Sequence, residues 1–317
     1  MTTPQHPAPP QSAPQGPPQG PPQAQAYAQP QQPQQQQPQQ PQHEQGYWPG
    51  QAPAGGYVSP IPVRKATLGD ALASEWTKIK SVPSTMWTLG VLVVLVVGIG
   101  ILIGTIFKAV NKEVDASALG LGVFGLLLGS ICVITLGVLT IASEYATGMI
   151  RTTLTACPNR GRVLTAKAIV FFSLTFVITL VSTALVSVIN TAMVGDLALE
   201  ATGAEWFRAT VGVSLYMGAL GLLALAVGTL LRHSAGAITT MLGVVLLPVV
   251  VAMFMMSESL SDVREWLFEY SIPSQLVGIF ATEAGDGLTG WEPLWVMLGM
   301  AAVALGGAYA ALVKRDA

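Results

Sequence analysis

Residues 119–167 read LGLGVFGLLLGSICVITLGVLTIASEYATGMIRTTLTACPNRGRVLTAK. The stretch changes character in its middle. Residues 119–142 contain no charge and no break in the apolar pattern. As a helix rising roughly 1.5 Å per residue, that run is long enough to cross a hydrocarbon core of about 30 Å. Residues 143–167 then carry Glu144, Arg151, Arg160, Arg162 and Lys167, with Gly148 and Pro158 as breakers. Such a sequence reads as a chain leaving one membrane span and turning to enter the next.

Five further runs of the same kind lie at 87–107, 168–194, 209–231, 235–256 and 294–313, none with a charge in its interior. They are continuous rather than alternating, which selects helices over a barrel. The composition agrees: 51% of the 317 residues are hydrophobic and 10% charged, against roughly 25% charged in soluble domains. The fold class is therefore an all-α integral membrane protein with six transmembrane helices. A net charge of −2 provides no basic field for nucleic acid. Cys132 and Cys157 are too few for a disulfide framework, and with His6, His43 and His233 scattered, no metal site is expected.

Residues 1–62 hold 17 of the 22 prolines, interleaved with glutamine, and Glu44 is their only charge. Residues 1–63 are thus expected to be a disordered tail, too polar to bury a core. The tail lacks the basic start and apolar stretch of a secretory signal, so it is not expected to be removed. With the N-terminus in the cytoplasm, eleven of the 15 Lys and Arg fall on the cytoplasmic side and twelve of the 17 acids on the other. That asymmetry places both termini inside.

Two flanking segments stand out. Leu68, Leu72, Trp76 and Ile79 are spaced to form one helical face, with Asp70, Glu75, Lys78 and Lys80 largely on the other side. Thr67 and Asp70 have the spacing of a capping box, and Pro83 closes the segment. A basic amphipathic helix beside a span suits the membrane interface, although packing on protein is the plain alternative. In 143–167, Thr152 and Thr153 can cap a short helix that Pro158 ends. By spacing alone this loop either docks on a soluble partner or rests on anionic headgroups.

The segment SEWTKIKS before the first run, and SEYATGMIRTTL followed by PNRGRVLTAK after the second, resemble the permease subunit of a type-two ABC exporter. The likeness covers about residues 64–317. It implies a connecting helix before the first span and, after the second, a cytoplasmic coupling helix that docks on an ATPase. Glu144, Tyr145, Gly148, Met149, Arg151, Thr152 and Leu154 fall on that coupling segment, with Met149 where many relatives carry Thr. The resemblance also implies a second permease half, identical or paralogous, in a bacterial plasma membrane. No GxxxxGK[ST] loop occurs in the chain, so ATP and magnesium would be bound by a separate ATPase chain, and this one is not expected to be an enzyme. A pair of short outer helices is implied before the last span, with Leu260, Val263, Leu267 and Tyr270 on one face, Pro273 breaking the run and Trp266 and Phe268 as interface anchors.

In the third run, Thr175, Thr179, Ser182, Thr183, Ser187, Asn190 and Thr191 share about half the helix circumference. This face either lines a pathway or bonds helix to helix. Gly100 with Gly104 and Gly125 with Gly129 have the spacing of close helix contacts, and Pro248 would kink the fifth run. Other functions have less support. A secondary transporter usually needs ionisable groups within its spans, and the runs have none. GxSxG and HExxH are absent. A membrane anchor or regulatory subunit without transport stays open.

Overall fold

The computed structural model describes residues 66–111, 114–281 and 287–314. The expected tail, with Arg64 and Lys65, lies outside these, as do Lys112 and Arg315. The described chain is almost wholly helical and contains six helices long and apolar enough to cross a membrane, the build of a multi-pass membrane protein. They are preceded by α1 (Leu68–Ser81), where Thr67 and Asp70 form the capping box that their spacing offers.

The first span joins α2 (Pro83–Val94), a π-helical turn at Leu95–Ile99 and α3 (Gly100–Val110). A 3-10 turn at Ala118–Gly122 leads into α4 (Val123–Thr147), and the short α5 (Met149–Ala156) follows. The third span is α6 (Arg160–Val194). The fourth is α7 (Gly203–Phe207), a π turn at Arg208–Gly212 and α8 (Val213–Leu231). The fifth is α9 (Ser234–Phe254); α10 (Ser261–Glu269) and α11 (Ile272–Gly278) precede the sixth, α12 (Glu292–Lys314).

Helix α8 forms the centre, packed by α4, α6, α9 and α12. Val213, Tyr216, Met217, Leu220 and Ala224 along it are fully enclosed. In lipid the solvent is as apolar as the side chains, so helices associate through close van der Waals packing. Small residues allow it here. A Cβ on Gly137 of α4 would come 2.6 Å from the Gly221 carbonyl oxygen of α8, and one on Gly228 would come 3.1 Å from that of Val138. The two paired-glycine motifs act likewise. A Cβ on Gly125 would come 2.7 Å from the Val96 carbonyl oxygen, Gly129 faces Leu92, and Gly100 and Gly104 face Val186 and Asn190 of α6.

The structure departs from the sequence reading at the ends of the helices. Helix α4 continues past residue 142 to Thr147, and α6 begins at Arg160 rather than at 168. The polar residues there do not stop a helix that is already nucleated. The fold is also not purely α, because Val114–Ser117 (β1) pairs in parallel with Ala198–Leu199 (β2). Pro248 lies inside α9, which runs on through it. Pro273 does not break a helix but occupies the first turn of α11, where its missing N–H costs nothing, and Ser271 caps that helix. The face of Leu260, Val263 and Tyr270, with Trp266, is exposed, whereas α11 buries Ile272, Gln275 and Leu276.

Candidate functional site

Helix α1 presents Glu75 inward, not outward as its spacing had suggested. Its exposure is 4%, while Leu68 and Trp76 of the apolar set are exposed, Leu72 is half-buried and Ile79 is buried. The reason lies on other helices. Lys167, about two turns into α6 and 1% exposed, places its Nζ 2.7 Å from Glu75 Oε2 and 2.6 Å from Glu144 Oε1. Lys78 of α1 completes the group, its Nζ 2.8 Å from Glu75 Oε1 and 2.9 Å from Glu144 Oε1. Two carboxylates and two ammoniums thus form a neutral quartet joining α1, α4 and α6.

The quartet also reaches α5. Lys78 donates a third hydrogen bond, 3.2 Å long, to Thr153 Oγ1. Burial of Lys78 works against its charge, yet the hydrogen bonds and Coulomb attraction of Glu75 and Glu144 outweigh it and raise its pKa above the usual lysine value. A charge in such surroundings is tolerated because it is paired; removing one member leaves a buried partner uncompensated.

The proposed coupling residues sit around this quartet. Gly148 joins α4 to α5 with φ +71°, a left-handed conformation that costs glycine little, and α5 starts directly after it. Thr152 and Thr153 therefore do not cap α5 but lie within it, where Thr152 donates to the Met149 carbonyl. The helix ends at Ala156, two residues before Pro158, and Asn159 then caps α6. Met149, Arg151 and Thr152 are exposed, Leu154 is half-buried and Ile150 is buried. Tyr145 is half-buried beneath the Arg232 guanidinium, 5.1 Å from its ring centre.

The polar face of α6 is a different kind of feature. Thr175, Thr179, Ser182, Thr183, Ser187 and Asn190 are all buried within the chain. Thr179, Ser182 and Thr183 donate to carbonyls one turn back on their own helix, at 2.6, 2.8 and 2.9 Å. Asn190 donates to the Gly100 carbonyl of α3 at 3.2 Å. The cavity touching Thr183 and Ser187 measures about 10 Å³, space for roughly one water.

No family model matches the chain, and no curated protein matches it either. The site must be judged on its own geometry. Among the described residues, no three His, Cys, Asp or Glu side chains come together to hold a metal ion. What the quartet can do is mechanical. It fixes the short α5, the helix α1 that precedes the first span, and two spans to one another through charge-assisted hydrogen bonds, which have directional geometry.

Sequence reasoning singled out Glu144 as part of the segment after the second run. It missed Lys78 and Lys167 as that residue's partners, and Glu75 and Thr153 as the groups those lysines also bond. One signal was available: Lys167 immediately precedes an apolar run without a helix breaker, so the same helix carries it toward the core.

Proposed function

We propose that this chain is the membrane-spanning permease subunit of an ATP-driven ABC transporter of the exporter type, with α5 as the element that docks on a separate ATPase. The observation that carries this reading is the quartet. A helix that receives movement from a partner must pass it to the spans, and Thr153, Lys78, Glu144 and Lys167 link α5 to α1, α4 and α6. Met149, Arg151 and Thr152 are among the exposed residues of α5 that would meet the partner. Binding of ATP would draw two ATPase subunits together, and α5 would carry α4 and α6 with it as rigid bodies.

The same reading puts α1 at the cytoplasmic interface, with Leu68 and Trp76 toward lipid and Lys80 over the Trp76 ring at 5.6 Å. It puts both termini in the cytoplasm of a bacterial cell, with a second permease half beside this one. The burial of the α6 face supports helix packing rather than a pathway within one subunit.

The test is purification of the full chain from its native membrane, followed by identification and assay of any ATP-hydrolysing chain that accompanies it. Arg151→Glu and Met149→Glu change exposed positions, so they should leave the fold intact and abolish co-purification. Absence of any ATPase, or its unchanged recovery with both variants, overturns the reading.

A further inference from the structure

Beside the quartet, a cavity of about 410 Å³ opens between the α1–α2 junction and the last turns of α4. Pockets of roughly 300–1,000 Å³ accommodate small molecules. Its apolar walls include Ile79, Val82, Leu136 and Leu139. Its polar lining is mostly hydroxyl: Ser81, Ser84, Thr85, Thr88, Thr140, Ser143 and Thr147.

Five of those hydroxyls are already committed as donors. Ser81 donates to the Lys78 carbonyl at 3.0 Å, Thr88 to Ser84 at 2.8 Å and Thr140 to Leu136 at 2.7 Å. Ser143 donates to Leu139 at 2.6 Å and Thr147 to Ser143 at 2.8 Å. Each of these five has one hydrogen, so each offers the cavity lone pairs only, whereas the Ser84 and Thr85 hydroxyls keep theirs. Lys78, also in the lining, spends its three hydrogens on Glu75, Glu144 and Thr153. Lys167 is enclosed between the two carboxylates.

These commitments decide the ligand's chemistry. An anionic head finds the two ammoniums already balanced by two carboxylates and only the hydroxyls of Ser84 and Thr85 to donate to it, and would be desolvated without a counter-ion. A cationic head finds the two carboxylates already balanced by two ammoniums, and would be desolvated without a counter-ion. A neutral donor meets neither obstacle. Glu144, which lines the same cavity, has Oε2 buried without a hydrogen-bond partner, and a buried acceptor left unpaired is costly. We propose that this cleft binds an uncharged amphiphile with a hydroxyl head group and an aliphatic body, the hydroxyl donating to the acceptor lining and the chain lying along Ile79, Leu136 and Leu139. The site follows from side-chain chemistry alone and does not depend on the transport reading.

The experiment uses the full chain in lipid nanodiscs and three photoreactive probes with the same twelve-carbon chain, ending in a hydroxyl, a carboxylate or a trimethylammonium. Labelled peptides are mapped by mass spectrometry. The alcohol should label segments 79–88 and 136–147 more strongly than the two ions, and excess 1-dodecanol should compete. Thr140→Val/Ser143→Ala, which removes two acceptors, should lower that labelling about fivefold, the net worth of one hydrogen bond. Leu139→Trp, which fills the cleft, should abolish it. Equal labelling by all three probes, or unchanged labelling in Thr140→Val/Ser143→Ala, overturns the head-group assignment. Labelling that survives Leu139→Trp overturns the site.

Discussion

Two polar regions are buried in this apolar bundle, and they are held in opposite ways. The hydroxyl face of α6 comes from one helix and is satisfied largely on that helix, since Thr179, Ser182 and Thr183 bond back to their own carbonyls. The quartet comes from residues 75, 78, 144 and 167, on three different helices, and none of its carboxylates can be neutralised by its own backbone. A hydroxyl can carry its partner with it; an ionised group must recruit one. The α6 face therefore permits many neighbours, whereas the quartet specifies which helices meet.

The contrast is broken most severely by Lys167→Met. It leaves two carboxylates with one ammonium, and the expected loss of stability is about 3–5 kcal/mol, read as a lower unfolding temperature in detergent. Adding Glu75→Gln restores charge balance and should recover much of that loss; no recovery would mean that Lys167 acts through packing alone.

Gly104→Ala is the next largest. The new Cβ would run into Asn190 Oδ1, and overpacking of this kind costs about 1–3 kcal/mol. Asn190→Ala introduced alongside should relieve it. Additive losses in the double variant would show that the two residues do not meet.

Thr179→Val sharpens the comparison from the quiet side. Its hydroxyl serves only its own helix, so the change in stability should be about 0.6 kcal/mol or less. A loss comparable to that of Lys167→Met would place Thr179 in an interhelical contact.

The finest test is pH. The folded-state pKa of Lys78 is raised, so its contribution to stability is full below the ordinary lysine value of 10.5 and declines as pH rises through the folded value. Unfolding temperatures measured from pH 8 upward should fall at the alkaline end, and Lys78→Met should flatten that fall.

Much of the architecture was legible before any coordinates. Six apolar runs and the glycine pairs depend on composition and spacing along one helix, and lipid imposes helices on any run that crosses it. The bend at Gly148, the short helix after it and the capping pair Thr67–Asp70 are likewise local. The site was only half legible. Glu144 stood out, but a helical wheel assigned Glu75 to the outward face because, on α1 alone, that is where a carboxylate belongs.

The sequence by itself determined the number of spans and roughly where each lies, because burying a backbone in hydrocarbon favours helices that satisfy their own hydrogen bonds. Only the tertiary structure decided that Glu75 turns inward, that Lys167 sits between two carboxylates, and that five back-bonded hydroxyls surround one cavity. The first two depend on Coulomb attraction and hydrogen bonding between groups up to 92 positions apart in the chain, the third on how α1, α2 and α4 pack, and no periodicity within a single helix encodes them.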